Sequence, residues 1–408
     1  MTQPKNPVQA QYEKWVYPRP VMDLTADEYD ARRDLADPQG NWHTYWPSEP
    51  FRDDIDILIA GCGANAAARY AFHNRRSRVT GIDLSAASLA HERYLKDKHN
   101  LTNLTLHQGR LEEVASLRQT FDFIETSGVL HHLPDPVAGL RALGTVLRPN
   151  GTIAIMLYGR YGRSRIYQLQ ELFRILGVGQ ETDDVAFVKQ ALKELPESQN
   201  GSGPFANKRN DLHYDAGVVD TLLHPLDRSY TVPDCLELTG DAGLSFMAWL
   251  DNSRRYPEGQ IDPDSELFRR IAALPDDQIW KAMELHSGTL GQHNFCVCLP
   301  TRPSASYQID FTSDRFLDYV PVRRSKEAVP APTGIPPGSI AVHRDGRSAY
   351  VLMPNAAALY RRIDGIRSIR ACIADAGLQA ADPVGVARSA FLYLWRLGYI
   401  FVRLWRAA

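Results

Sequence analysis

Cysteine is scarce in this 408-residue chain: Cys62, Cys235, Cys296, Cys298 and Cys372 are the whole set. An odd, scattered set argues against a disulfide framework and for reduced thiols in a cytoplasmic protein. Cys296 and Cys298 form a C-x-C pair, but no second Cys/His pair stands at zinc-like spacing. Alternate positions on one strand explain the pair, and no metal centre is expected. Long apolar runs are missing as well. No stretch reaches the roughly 18 apolar residues of a membrane span. The nearest, FLYLWRLGYIFVRLWRAA, is broken by Arg396, Arg403 and Arg406 and reads as a buried helix and strand. The opening MTQPKNPVQAQYEKW lacks the apolar core of a signal peptide, so no membrane partner is expected. A large net charge is absent too: 46 Lys and Arg stand against 48 Asp and Glu. That balance hides an asymmetry, because residues 301–408 carry 15 basic and 8 acidic side chains. What remains is an ordinary globular composition, 44% hydrophobic and 23% charged, with length for two or three domains at about 150 residues each.

Four parts follow one another along the chain. Residues 1–50 are rich in aromatics (YEKWVYPRP, NWHTYWPSEP) and are expected to pack on the domain that follows. Between these motifs, TADEYDARRDLA reads as a short helix capped by Thr25. Residues 51–300 open with alternating strands and helices: IDILIAG, ANAAARYAFHN, RVTGIDLS, AASLAHERYLKDKHN, LTLHQG, FDFIETSG, PVAGLRALGTVL and TIAIMLYG. Continuous apolar strands between helices predict a parallel sheet covered on both faces, an α/β Rossmann-like fold. A helical insertion at about 161–224 interrupts it, including the polar Gly-rich stretch SQNGSGPF, and HNFCVCLP is expected to be a terminal strand. Residues 301–338 read as a Pro-rich linker or strap. Residues 339–408 read as a small α+β winged-helix-like domain: a hairpin turning at Asp345-Gly346, two or three helices, and a closing strand GYIFVRL.

The sharpest motif is IDILIAGCGAN, a buried strand running into Gly61-Cys62-Gly63 and then a helix. Glycines serve where the backbone turns tightly and a ligand lies against it, and the helix start presents free N–H groups. Twenty residues after Gly63, the strand RVTGID ends in Asp83, an acid placed to accept bonds from ribose hydroxyls. Loop plus acid fits NAD, FAD and S-adenosylmethionine alike.

Further elements choose among them. Gly61-Cys62-Gly63, Gly81-Ile82-Asp83-Leu84-Ser85, FDFIETSGVLHHLPDP and Leu147-Arg148-Pro149-Asn150-Gly151 together resemble class I S-adenosylmethionine-dependent methyltransferases over about residues 50–160. The resemblance implies S-adenosyl-L-methionine as cofactor. Gly61 and Gly63 would face its methionine part, with Cys62 and Asn65 beside them in the cofactor-binding loop, Asp83 would bind its ribose, and Leu84 would lie beside its adenine. Arg110 and Leu111 would lie near the adenine amine, where the family usually has an acid, and Ser127 and Gly128 would border the methionine moiety and the substrate. The chain departs from the pattern at Ile59, where an acid is frequent, and at Asn65, where a third glycine is frequent; Asn tolerates a left-handed backbone better than other side chains. Ala66 stands at the third-glycine slot of a dinucleotide motif. QYEKWVYPRP and HPLDRSYTVP are also similar to a bacterial group that includes protein-lysine methyltransferases with an N-terminal YPR-type motif.

Methyl transfer needs positioning and desolvation more than a fixed triad, since the donor is already activated. An amine must arrive neutral, and a hydroxyl needs a base. His131 and His132 follow the fourth strand and supply a candidate base or hydrogen-bond partner, with helix capping or packing as the structural alternative. Tyr158 and Tyr161 follow the fifth strand and could wall an amine channel or contact a methylated nitrogen through cation–π attraction, or simply dock the next helix. Tyr214 belongs to a polar cluster with His213, Asp215, His224, Asp227, Arg228 and Tyr230, read as a lid, a pocket wall or a structural knot. Tyr12, Trp15 and Tyr17 could fold over the cofactor or pack in the core.

The leading expectation is methyl transfer to a protein or peptide acceptor at nitrogen, with the winged-helix-like domain holding the peptide by strand addition. The alternative is a small-molecule N- or O-methyltransferase in which the insertion closes over a compact pocket and the C-terminal domain serves a homodimer. A nucleic-acid reading rests on the basic tail and on Arg361, Arg362, Arg367 and Arg370, which also suit an amphipathic helix.

Overall fold

The structure is a computed structural model that describes residues 7–26, 36–195, 210–324, 328–332, 334–343 and 350–404. In chain order its elements begin with α1 (Pro7–Lys14) and the single turn α2 (Trp42–Tyr45). Next come β1 (Asp56–Ala60), α3 (Ala66–His73), β2 (Arg78–Asp83), α4 (Ala86–Lys98), β3 (Leu104–Gln108), β4 (Phe121–Ser127), α5 (Pro136–Thr145) and β5 (Leu147–Tyr158). Four helices follow: α6 (Ser164–Ile175), α7 (Thr182–Glu194), α8 (Asp215–Leu222) and α9 (Val232–Asp241). Then come β6 (Ser245–Trp249), α10 (Glu266–Ala272), α11 (Asp276–Ser287) and β7 (Gln292–Cys298). The chain ends with β8 (Val320–Arg323), β9 (Ala328–Pro330), β10 (Ile340–Val342), β11 (Tyr350–Leu352), α12 (Pro354–Arg362), α13 (Ile369–Ala376), α14 (Pro383–Arg396) and β12 (Ile400–Arg403).

Seven strands form one sheet in the order β3-β2-β1-β4-β5-β7-β6. The pairs β1–β2, β1–β4, β2–β3 and β4–β5 are parallel, and β5–β7 is antiparallel. This is the Rossmann-like methyltransferase sheet, with its crossover between β1 and β4. β1 is buried because Ile57, Leu58, Ile59 and Ala60 all have neighbours on both faces. Helix α3 can lie close on β2 because Gly81 has no Cβ; one there would stand 2.7 Å from Ala67 Cβ. Helix starts follow ordinary capping chemistry: Asp135 caps α5 at Ala138 N–H and Thr231 caps α9 at Asp234 N–H. HNFCVCLP is a strand, β7, but β6 lies beyond it, so β7 is internal to the sheet. Cys296 and Cys298 both lie on β7, and all five cysteines are buried with none in a disulfide.

Two compact units divide the chain. One comprises Met1–Gly40, Arg52–Phe246 and Gly288–Pro300; the other comprises Asn41–Phe51, Met247–Ser287 and Thr301–Ala408. Segments 41–51 and 247–287 thus cluster with the C-terminal region, a grouping made by residues far apart in sequence. In the first unit, α6, α7 and α8 build a core of their own around Ile166, Phe173, Val188 and Val219. In the second, β9, β10 and β11 form an antiparallel sheet, and β12 pairs antiparallel with β8. The Pro-rich stretch therefore supplies a strand, β9, and the closing strand pairs with β8 and not with the hairpin. Phe316, Tyr360 and Phe391 fill the core between these sheets and α12–α14. The hairpin turn at Asp345-Gly346, the body of the helix expected after Thr25, and the stretch SQNGSGPF lie outside the described residues. No helix among the described residues is long and apolar enough to cross a membrane.

Candidate functional site

A cavity of about 230 Å³ opens at the carboxyl ends of β1, β2, β4 and β5, all within the first unit. Its floor is the glycine loop. Gly61 has φ +81° and Gly63 φ +54°, both in the left-handed region. The N–H groups of Gly61 and Cys62 donate to Ile82 O at 2.8 and 3.1 Å, which pins the turn to β2. A Cβ on Gly61 would lie 2.3 Å from Val129 Cγ2, and one on Gly63 would lie 3.0 Å from Pro18 Cδ. Gly61→Ala is therefore expected to destabilise the fold by about 2 kcal/mol or more through backbone strain and overpacking. Urea unfolding and calorimetric titration of the cofactor described below would report it as lost stability and lost binding together.

Asp83 lines the cavity at the end of β2. Its Oδ2 accepts from Gly63 N–H at 2.8 Å and its Oδ1 from Ser85 N–H at 2.8 Å. Burial raises its pKa, and these two bonds oppose the rise. Each oxygen keeps a second lone pair for a ligand hydroxyl. Leu84, Ile82, Gly109 and Leu111 continue one wall, and Ser127, Gly128, Val129 and Met156 continue another.

One feature absent from the sequence reading decides what kind of nucleoside fits. Glu92 on α4 is fully buried, and its two oxygens accept from Ala67 N–H at 2.9 Å and Ala68 N–H at 2.8 Å. Burial pushes its carboxyl up to about 8 even so. A dinucleotide's pyrophosphate would need those N–H groups at the start of α3. They are already taken, by a carboxyl group that leaves neither N–H free for a phosphate. The loop, Asp83 and the apolar walls thus suit a nucleoside cofactor without phosphate groups. Glu92 carries no motif; only the fold brings it to α3.

The opposite end of the cavity is polar. Tyr12, Tyr17, His132, Tyr158 and Asp220 line it. Helix α1 brings Tyr12, held by Glu13 at the start of α4 (2.6 Å to Ala86 N–H) and by Lys14 on Glu181. Tyr12 Oη donates to Asp220 Oδ1 at 2.9 Å and lies 3.4 Å from His224 Nε2. The rings of His132 and His224 stack at 3.8 Å. One residue fixes both tautomers. Leu226 N–H donates to His224 Nδ1 at 3.1 Å, so the His224 proton sits on Nε2. Leu226 O accepts from His132 Nδ1 at 2.8 Å, so His132 Nε2 carries the lone pair. Burial lowers the pKa of both rings and keeps them neutral.

The structure sorts the residues singled out in the sequence. Gly61, Gly63, Asp83, Leu84, Leu111, Ser127, Gly128, His132 and Tyr158 line the cavity; Cys62, Asn65, Arg110, His131, Tyr161 and Tyr214 do not. Cys62 turns its sulfur toward Gly81. Asn65 has φ −140°, so it is not left-handed. Its side chain accepts from Val21 N–H at 2.8 Å and donates to Arg19 O at 3.0 Å, clasping the N-terminal segment. Arg110 pairs with Glu112 at 3.3 Å near the surface. His131 is fully buried, stacked on Tyr158 at 3.9 Å. Tyr158 also carries the Arg163 guanidinium 3.5 Å from its ring centre. Two groups so close must sit on opposite faces, which leaves only the hydroxyl edge of Tyr158 for the cavity and no face for a cation. Tyr214 backs Tyr17, with ring centres 6.5 Å apart, and donates to Asp211 at 3.2 Å. Asp220 was missed in the sequence, where a single acid in the apolar run VVDTLLHP was its one signal.

Comparison with known proteins agrees with this geometry. Residues 58–153 match the methyltransferase domain family. An uncharacterized protein of Synechococcus is 28% identical over 336 residues, spanning 78% of this chain and 76% of its own length. The ubiquinone biosynthesis O-methyltransferase of Acinetobacter baumannii is 25% identical over 181 residues, 43% of this chain and 75% of its own. Among solved structures, PKMT2 from Rickettsia typhi superposes with a TM-score of 0.62 at 15% identity, covering 95% of this chain and 78% of that one. Its complex with AdoHcy gives 0.60 at the same identity, over 91% and 74%. Fold, loop and matches define a class I S-adenosylmethionine-dependent methyltransferase. S-adenosyl-L-methionine is the cofactor.

Proposed function

We propose that the enzyme methylates a nitrogen atom of a protein or peptide. The observation that carries this reading is the chemistry of the acceptor end. Among its described lining residues there is no Lys or Arg, while Asp220, three tyrosines and a neutral His132 are present. Such a site repels carboxylates and phosphates and favours a cation or neutral donor. The cofactor, when bound, supplies an electrophilic methyl group on a sulfonium. Gly61 and Gly63 would hold its methionine part, Asp83 the ribose, Leu84 and Leu111 the adenine side, and Ser127 and Gly128 the approach to the acceptor. His132 Nε2 would receive the proton that the acceptor sheds, while Tyr12 and Tyr17 exclude water from above.

Within the second unit, the small antiparallel sheet β9–β11 with helices α12–α14 fits the winged-helix-like reading, and a peptide could be held there by strand addition. The match to protein-lysine methyltransferases in QYEKWVYPRP and HPLDRSYTVP supports the same acceptor class. Five buried thiols suit a cytoplasmic setting. A small-molecule acceptor is the second reading, favoured by the compact cavity and by a histidine lone pair able to activate a hydroxyl. The basic tail does not favour nucleic acid. Arg361 donates to Gly338 O, Arg362 to Asp375 O, Arg367 pairs with Asp364 and Asp375, and Arg370 with Asp318, all inside the second unit.

Incubation of the enzyme with methyl-labelled cofactor and fractionated bacterial lysate tests the reading. Label that is stable to base and released by protease is expected. Label confined to protease-resistant small molecules, or lost in base as an ester is, would overturn it.

A further inference from the structure

The most buried acid at the acceptor end has an unusual position. Asp220 is 1% exposed, yet it sits on α8, outside the sheet that carries the rest of the site. A carboxylate taken out of water needs compensating partners. Among the described residues it has one: Tyr12 Oη donates to Oδ1 at 2.9 Å. Among the described residues Oδ2 has no hydrogen-bond partner, and Asp220 is one of the residues that line the cavity. Arg163, the cation that draws on Asp220's charge, is itself spent on Tyr158 and on Asp227 at 3.8 Å. Among the described residues, the site is one positive group short.

A ring nitrogen of His132, one of His224 and a carboxylate oxygen of Asp220 lie within 4.8 Å of one another, all buried. That triangle could close on a divalent metal or on a single ammonium nitrogen. The tautomers separate the two. A metal needs a lone pair from each imidazole. His224 receives the Leu226 N–H on Nδ1 and carries its proton on the Nε2 that faces Tyr12, so it has no lone pair to offer there. An ammonium asks for less. Its tetrahedral N–H bonds, at ordinary charge-assisted length, separate two acceptors by about 4.7 Å. Asp220 Oδ2 and His132 Nε2 are acceptors, and the hydroxyls of Tyr17 and Tyr158 can accept as well.

We propose that Asp220 is the anchor for the acceptor substrate and that it binds a primary alkylammonium group. The charge goes to Oδ2, and the remaining N–H bonds go to His132 Nε2 and a tyrosine hydroxyl. A primary ammonium has three donors for these acceptors. A quaternary one has none and would strand them, so the site selects the unmethylated amine. In its absence the Tyr12 hydroxyl is what Asp220 holds. The inference rests on the nitrogen-acceptor reading and adds the residue that recognises the acceptor.

Calorimetry on the full chain saturated with S-adenosylhomocysteine tests it, with n-butylamine, n-butanol, butyrate, tetramethylammonium and catechol as probes at pH 8. The wild-type protein is expected to bind butylammonium at least about tenfold more tightly than the other four, the worth of one charged hydrogen bond. Asp220→Asn, nearly the same shape, is expected to abolish that preference and leave S-adenosylhomocysteine affinity unchanged. Amine binding undiminished in Asp220→Asn overturns the anchor while sparing the nitrogen reading. Catechol bound in preference to the amine by the wild type overturns both. Loss of S-adenosylhomocysteine binding in Asp220→Asn would put the residue with the cofactor and also overturn the anchor. Should Asp220→Asn fail to fold, the probe ranking on the wild type decides alone: equal affinities for amine and alcohol overturn the proposal.

Discussion

Asp83→Ala is expected to weaken binding of S-adenosylmethionine and S-adenosylhomocysteine by about a hundredfold or more in calorimetric titration. Two losses combine. The variant forfeits charge-assisted bonds to ligand hydroxyls, each worth about 1.5–3 kcal/mol. It also releases Gly63 N–H and Ser85 N–H, which Asp83 holds at 2.8 Å each. The glycine loop and the start of α4 would both lose their tether. Asp83→Asn separates the contributions: its amide oxygen can keep one of the two backbone bonds while the charge is gone. An intermediate loss for Asn and a full loss for Ala is the expected pattern. Equal affinity in wild type and Asp83→Ala would remove Asp83 from the cofactor site.

His132→Gln is expected to lower kcat by about a hundredfold or more, the usual scale of a lost general base, with cofactor affinity little changed. His131→Gln serves as the neighbour control. That ring is fully buried behind Tyr158, so its replacement should act on stability and not on the proton step. The pH dependence separates His132 from Asp220. Burial, chiefly, lowers the His132 pKa, Arg163 adds to the fall, and Asp227 and the Leu226 carbonyl oppose it. The ring is then neutral at physiological pH, and kcat is lost only as pH falls through a value below the ordinary imidazole range. Asp220 behaves oppositely: burial pushes its carboxyl up to about 7. Its charge, and with it the capture of a cationic acceptor, is present above about 7 and is lost as pH falls through it. So kcat/KM should fall at higher pH than kcat does, and Asp220→Asn should erase the limb near 7. Coincident limbs in the wild type would show that one group does both tasks.

The sheet was legible from the chain because its signals are local. Apolar runs such as IDILIAG and TIAIMLYG, set between amphipathic helices, can only bury both faces of a parallel sheet. Gly61, Gly63 and Asp83 were legible for a related reason: a tight turn and an acid at a strand end facing the cavity are dictated by backbone geometry within thirty residues or so. Asn65 shows the limit of that logic. Its left-handed tolerance was irrelevant, because the side chain was needed as a clasp for Arg19 and Val21, more than forty positions away.

The acceptor end could not be read in the same way. Tyr12 and Asp220 lie 208 positions apart, and His132 meets the Leu226 backbone across 94. No periodicity records such a meeting. Nothing in AASLAHERYLKDKHN marks Glu92, which only the fold turns onto the start of α3. The grouping of 41–51 and 247–287 with the C-terminal region is likewise invisible in composition. By itself, then, the sequence determined the α/β sheet, the glycine loop and the class of chemistry, since each depends on neighbours along the chain. Only the tertiary structure decided which histidine offers a lone pair, which tyrosine face is covered and which acid is buried beside them. Those properties belong to pairs of groups that burial brings together, and desolvation gives them their strength.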